Sequence, residues 1–230
     1  MNIVIFGANG PTGRILTQQA LEKSYTVTVF TRHPETFPIQ DARLRVLSGD
    51  VYDLAAVEQA VTGQDAVLSA LGGVFGGKEV TVYSLGTGNI VQAMKDSSVR
   101  RLICVSASAL EPHETGGGFL FDNIMSPLVV NVFGKTLYAD MRRMEKLVMR
   151  SNLDWTIVRP SGLFETPVVT TDYQEGEGHL KGSYTSRADL AACMLHQLTT
   201  DQYRRKAVAV ITTAMQPKLF DFFVKEALKR

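Results

Sequence analysis

The stretch GANGPTG, residues 7–13, follows directly on the apolar run NIVIF of residues 2–6. Gly7, Gly10 and Gly13 recur at every third position, and each has a task in a turn that holds phosphate. The first permits a tight bend at the end of a strand. The second lets the backbone approach a pyrophosphate, and the third lets a helix pack closely on the strand it follows. Asn9, Pro11 and Thr12 complete the turn and open a helix. The unpaired N–H groups at such a helix start, with its partial positive charge, suit an anion. A glycine triplet alone carries little weight. Set between a strand and a helix at the start of a βαβ unit, it predicts a nucleotide cradle.

Such a cradle needs further strands to carry the rest of a site, and the hydrophobic pattern supplies them. Residues 2–6 read as a strand buried on both faces of a parallel sheet. Residues 12–23 place Ile15, Leu16, Ala20 and Leu21 at helical spacing. Strands follow at 25–30, 43–50, 65–71, 101–107, 154–160 and 206–212. Between them lie a helix carrying Leu54, Val57, Ala60 and Val61 with Asp53 as its cap, and helices over 80–96, 141–150 and 189–198. A last helix is expected over 217–229. This alternation predicts an α/β fold, a doubly wound parallel sheet with helices on both faces, forming one domain across residues 1–230. Two stretches break the rhythm, 114–135 and 165–184. Each follows a strand, so each is expected at the carboxyl edge of the sheet, where ligands of open parallel sheets lie. They are the expected substrate-site segments. The apolar part of the first, residues 119–133, reads as a flap or packed helix there.

Composition narrows the function classes. The 230 residues are 45% hydrophobic and 20% charged, with 24 Lys and Arg against 23 Asp and Glu. That balance argues against a nucleic-acid partner, and the expected partner is a small molecule. No apolar run is long enough to span a bilayer, and the start resembles no leader, so a cytoplasmic protein without membrane contact is expected, as monomer or homodimer. Cys104 and Cys193 are distant and fit buried apolar positions in a reducing compartment. His33, His113, His179 and His196 are scattered, so no metal site is expected. Trp155 reads as core.

In their order, GANGPTG, the GDV of 49–51, the SALG of 69–72, the SAS of 106–108, RRMEKLVMRSNLDWTIVRP at 142–160 and TSRADLA at 185–191 resemble the atypical short-chain dehydrogenase/reductase superfamily. Within its NAD(P)H-binding NmrA-like group, the chain most resembles the flavin reductase/biliverdin-IXβ reductase type. The resemblance runs from residue 2 to about residue 212 and implies a Rossmann-type domain using NADPH or NADH. An NAD site usually places Asp or Glu at the end of the second strand to bind the ribose 2′-hydroxyl. Here that strand ends Phe30-Thr31-Arg32-His33, and the Arg32 guanidinium suits a 2′-phosphate, so NADP(H) is expected over NAD(H). The resemblance further implies Asp50 and Val51 near adenine, Leu71 and Gly72 beside ribose and pyrophosphate, and Ser106, Pro160 and Ser161 near the nicotinamide. Taken singly, Asp50 equally fits a turn cap, Gly72 a bend and Pro160 a strand end.

Many short-chain enzymes protonate a carbonyl oxygen with a tyrosine in a YxxxK pair, assisted by a serine. This chain offers Ser106 and Tyr138 but has Arg142 where the lysine belongs. The resembled flavin and biliverdin reductases dispense with that tyrosine, which leaves Ser106 to orient the reactants and proximity to do most of the work. The expected function is NADPH-dependent hydride transfer to a flat conjugated acceptor such as a flavin, quinone or tetrapyrrole. The alternative is a non-catalytic NADP(H) redox sensor of the NmrA-like kind. A nucleotide-sugar epimerase is disfavoured by the missing YxxxK.

Overall fold

The computed structural model describes residues 1–73, 79–110, 134–170, 172–178 and 180–214. Its strands are β1 (Asn2–Phe6), β2 (Thr26–Thr31), β3 (Leu44–Ser48), β4 (Ala66–Ser69), β5 (Arg101–Val105), β6 (Asp154–Pro160), β7 (Gly162–Phe164), β8 (Tyr173–Gly176), β9 (Tyr184–Ser186) and β10 (Lys206–Thr212). The helices are α1 (Pro11–Glu22), α2 (Leu54–Val61), α3 (Thr87–Asp96), α4 (Lys135–Arg150) and α5 (Arg187–His196). The eight-stranded sheet runs β3-β2-β1-β4-β5-β6-β10-β8. β1 pairs in parallel with both β2 and β4, so the strand order reverses there. That point is where α/β sheets open a crevice for ligands.

The pleat of β1 explains the two helix layers. Ile3 and Ile5 point to one face, where they meet Leu16 of α1 and Leu190 of α5. Val4 and Phe6 point to the other, among Val57 of α2, Ile90 and Met94 of α3 and Met144 of α4. All of these side chains are fully or almost fully buried. A strand sandwiched between two apolar layers has no polar face, which is why NIVIF has no alternation. The outer strand β3 is half-exposed and carries Arg45, a charge that discourages edge pairing. Trp155, Cys104 and Cys193 are buried, as expected, and both thiols are free.

Several elements differ from the sequence expectation. The helix expected over 80–96 is a π-turn at Val82–Gly86 running into α3. Its start is held from outside, because buried Asp140 of α4 accepts the N–H of Tyr83 (2.9 Å) and of Ser84 (3.2 Å). α4 begins six residues before Met141. The segment 165–184 is less irregular than expected: Tyr173–Gly176 forms β8, antiparallel to β10 and running away from the carboxyl edge. β7 and β9 form a separate small parallel pair. Only part of 165–184 therefore lies at that edge. Residues 119–133, most of 114–135, His113, His179 and the helix expected over 217–229 lie outside the described residues.

α4 is fixed to β6 by a fork-to-fork ion pair. Arg159 donates through Nε to Glu145 Oε1 (2.8 Å) and through Nη2 to Oε2 (2.7 Å), both side chains being buried. Removing one partner leaves a desolvated charge, so Glu145→Ala is expected to lower the urea-unfolding free energy by about 3–5 kcal/mol. Replacing both partners with apolar side chains (Glu145→Leu with Arg159→Met) should restore most of it. A loss below about 1 kcal/mol in the single variant would show that the pair does not hold α4 in place.

Candidate functional site

The glycine turn joins β1 to α1 at the point where the strand order reverses. Gly7 adopts φ +73°, and a Cβ there would run into the backbone of Ala70 and Leu71 at the end of β4. A Cβ on Gly13 would overlap the Gly7 carbonyl and the Ala8 backbone. Gly10 is different. A Cβ there would meet only the Gly7 carbonyl oxygen, at 3.3 Å, a contact relieved by a shift of a few tenths of an ångström, so packing demands glycine less strictly here than at Gly7 and Gly13. Room is thus left on the turn's outer side. α1 begins at Pro11 with no side-chain cap and no acid in its first turn. Its first amide groups, including those of Thr12 and Gly13, therefore lack helical partners at the positive end of the dipole.

Asn9 braces this turn instead of pointing freely outward. Its Nδ2 donates to Thr36 Oγ1 (2.8 Å), and its Oδ1 accepts from Arg14 Nε (3.0 Å) and Nη2 (2.6 Å). The turn is thereby locked to the segment after β2. Arg14 escaped the sequence reading because an exposed arginine in a helix's first turn has no distinguishing pattern. Arg32, just past β2, is exposed and its side chain makes no hydrogen bond or ion pair with the described residues. The nearest acid in sequence, Glu35, faces His33 Nδ1 at 3.3 Å.

At the end of β3, Asp50 Oδ1 accepts the Tyr52 N–H (3.1 Å) and its carbonyl accepts that of Asp53 (2.9 Å). Asp50 thus shapes the turn into α2, which Asp53 caps as expected. Val51 is buried, and its carbonyl accepts Asn89 Nδ2 from α3 (2.9 Å). Past β4, Leu71 is half-buried, and Gly72 is exposed with open space where a Cβ would stand.

Ser106 directly follows β5, its N–H donated to the Val158 carbonyl (2.8 Å). Its Oγ is buried and has no hydrogen-bond partner among the described residues. Two residues on, Ser108 Oγ lies 3.0 Å from Ser161 Oγ, which joins the ends of β5 and β6 beside buried Pro160. Ser161 is held in turn, its N–H bonding Thr185 Oγ1 (3.0 Å). Buried Asp189 stitches the loop after β7 to α5 and β10. Its Oδ1 accepts Thr170 N–H (2.7 Å), and its Oδ2 accepts the hydroxyls of Thr170 (2.7 Å) and Thr212 (2.5 Å). Nothing in the local sequence around Asp189 marks it as an acid that works inward.

Tyr138 is only 9% exposed, packed in the α2–α3–α4 core layer near Tyr83. Burial, with Tyr83 beside it, pushes its phenol pKa up. A cation placed for catalysis would shift it the other way, but Arg142 is exposed. The set that does converge on the carboxyl edge comprises the glycine turn, Arg32, Asp50 with Val51, Leu71 with Gly72, Ser106, and Pro160 with Ser161.

A profile of the NAD(P)H-binding family matches residues 7–201. The chain belongs to that family. It is 29% identical over 226 residues to an uncharacterized chloroplastic protein of Arabidopsis thaliana, covering 94% of this chain and 78% of that one. A short-chain dehydrogenase/reductase from Veillonella parvula in complex with NADP shares the fold at TM-score 0.76 and 22% identity, over 93% of this chain and 95% of that one. An anaerobilin reductase from Escherichia coli O157:H7 does so at TM-score 0.73 and 20% identity, over 95% and 100%. The α/β fold is therefore the Rossmann fold, consistent with the superfamily that the sequence blocks resemble. Among the described residues, no helix is long and apolar enough to cross a membrane.

The contrast between two glycines is directly measurable. Gly13→Ala forces backbone apart and is expected to cost about 1–3 kcal/mol in urea unfolding. Gly10→Ala, at an ordinary φ and meeting only the Gly7 carbonyl oxygen at 3.3 Å, should change stability by less than about 1 kcal/mol. Equal losses would mean that the turn is packed as tightly at Gly10 as at Gly13.

Proposed function

We propose that this protein is an NADPH-dependent reductase of a flat, conjugated small molecule, built as one NAD(P)-binding domain. The observation that carries the reading is the Ser106 hydroxyl, buried just past the end of β5 and without a partner among the described residues. Leaving such a group unsatisfied costs about 1–3 kcal/mol, which a ligand supplying a partner offsets. The residues around it fit a dinucleotide. The space beside Gly10 and the uncapped start of α1 suit a pyrophosphate. Arg32, without a side-chain partner among the described residues, suits a 2′-phosphate. The turns at Asp50–Val51 and Leu71–Gly72 stand where adenine and ribose would lie, and Pro160 and Ser161 flank Ser106 at the nicotinamide end.

Bound there, the nicotinamide supplies a hydride. Ser106 orients the acceptor by hydrogen bonding, and the strand ends hold the reactants together so that proximity lowers the barrier. Tyr138 is assigned to packing, since its burial and raised pKa do not suit a proton donor at neutral pH. The proton then comes from solvent or from the substrate itself. Conjugated acceptors tolerate this because their π-system spreads the incoming charge. The altered YxxxR pair, with Tyr138 buried and Arg142 exposed, supports a second reading, a redox sensor that binds NADP(H) and signals through a partner.

Loss of NADPH absorbance with FMN, riboflavin, a simple quinone and biliverdin as acceptors separates the two. Turnover with one or more is expected, with Ser106→Ala lowering kcat/KM about tenfold or more, equivalent to about 1.4 kcal/mol. Tight NADP binding with no turnover on any acceptor would favour the sensor. Arg32→Asp should weaken NADPH about 10–100-fold while leaving NADH nearly unchanged, since a charge-assisted bond is worth about 1.5–3 kcal/mol. Equal loss for both cofactors would overturn the NADP(H) assignment.

A further inference from the structure

We infer that Arg187 closes the phosphate cradle from the side of α5 and contacts the cofactor's pyrophosphate. The inference rests on the dinucleotide reading above and adds a residue from TSRADLA, a block for which no site role has been assigned. Arg187 is the first residue of α5, set in place by Ser186, whose Oγ accepts the Asp189 N–H (3.0 Å). α5 lies along α1 on the same face of the sheet, and Gln19 Nε2 of α1 donates to the Ala188 carbonyl (3.0 Å). This packing brings the Arg187 side chain across to the glycine turn. Its Nη1 donates to Thr12 Oγ1 (3.2 Å), on the second residue of α1.

Two features distinguish this arginine from a simple tether. Its Nε is buried and has no partner, and no carboxylate pairs with its guanidinium among the described residues. The acid nearest in sequence, Asp189, is turned inward to Thr170 and Thr212. Meanwhile the α1 start that Arg187 touches is itself positive and has neither a cap nor an acid. Two positive features held together, the guanidinium of a half-buried arginine keeping N–H groups beyond the one spent on Thr12, form an incomplete arrangement that an anion completes. Phosphate matches it, because the planar fork of arginine binds two phosphate oxygens at once. Thr12 holds the fork in position before the ligand arrives, which lowers the entropy lost on binding.

The pyrophosphate is common to NADPH, NADH and ADP-ribose, which gives the contact a signature distinct from that of Arg32. Calorimetric binding of all three to the wild type, Arg187→Ala and Arg187→Lys is the test, together with thermal unfolding of each protein without ligand. Arg187→Ala is expected to weaken all three ligands by a similar factor, about tenfold or more. Arg187→Lys, which keeps the charge but loses the fork, should recover part of that loss. Should Arg187→Ala fail to fold, Arg187→Lys carries the comparison, with an equal loss for all three ligands as the expected result. Wild-type binding with unchanged affinity in the variants would overturn the inference and leave the cofactor reading standing. So would a loss confined to NADPH and NADH with ADP-ribose unaffected, which would place Arg187 at the nicotinamide. A lowered unfolding temperature with unchanged affinities would make it a tether between α1 and α5. Failure of the wild-type protein to bind any of the three would remove the cofactor reading and this inference together.

Discussion

Gly7 meets the backbone of Ala70 and Leu71 so closely that no side chain fits between them, and the rest of the site is arranged around that contact. It holds the end of β1 against the end of β4 and thereby sets the mouth of the crevice. The same turn presses Gly13 onto Ala8, so α1 starts immediately and points its free amides into the mouth. Gly10, between them, is demanded less strictly by the chain's interior. Two glycines answer to packing strictly, and at the third a Cβ would meet only one carbonyl oxygen, at 3.3 Å.

Buried acids do the remaining positioning, each at a junction the sheet cannot secure by itself. Asp140 caps the π-turn before α3 from a neighbouring helix. Glu145 anchors α4 to β6 through Arg159, one residue before Pro160. Asp189 ties the loop after β7 to α5 and β10. Each accepts from donors at least 14 residues away in sequence, Asp140 from nearby Arg143 as well, and a low-dielectric interior makes each such junction strict about geometry. The Ser106 hydroxyl, by contrast, has no such partner among the described residues.

These acids also mark where the sequence stops being legible. Strand and helix alternation was readable because a parallel sheet covered on both faces writes nearly continuous apolar runs such as NIVIF into the chain. The glycine turn and the Asp53 cap were readable because their partners lie within a few residues. The π-turn at Val82–Gly86 was not, since its cap comes from Asp140, 57 residues away from Tyr83. The same holds for β8, whose polar sequence YQEG becomes a strand only because β10 offers it an edge. Asn9 was placed correctly in the turn, but its amide is spent on Arg14 and Thr36. Tyr138 matched a spacing, yet spacing along a helix does not say which way the helix faces.

The position of β1 has a consequence for how the chain reaches this structure. β1 is the earliest described strand in the chain and the one around which the order reverses, yet its partner β4 begins only at Ala66. Every parallel pairing spans at least a crossover, so contacts are far apart in sequence and folding is expected to be slow. During synthesis, NIVIF can pair with β2 early but waits for some 60 further residues before its second edge is covered, as Asn2 and Asp65 show by bonding across the chain (Asn2 N–H to Asp65 Oδ2, 2.6 Å). The most apolar strand of the protein is therefore the one exposed longest in the nascent chain. The ribosome-bound state, more than the finished fold, is where this sequence is vulnerable to aggregation.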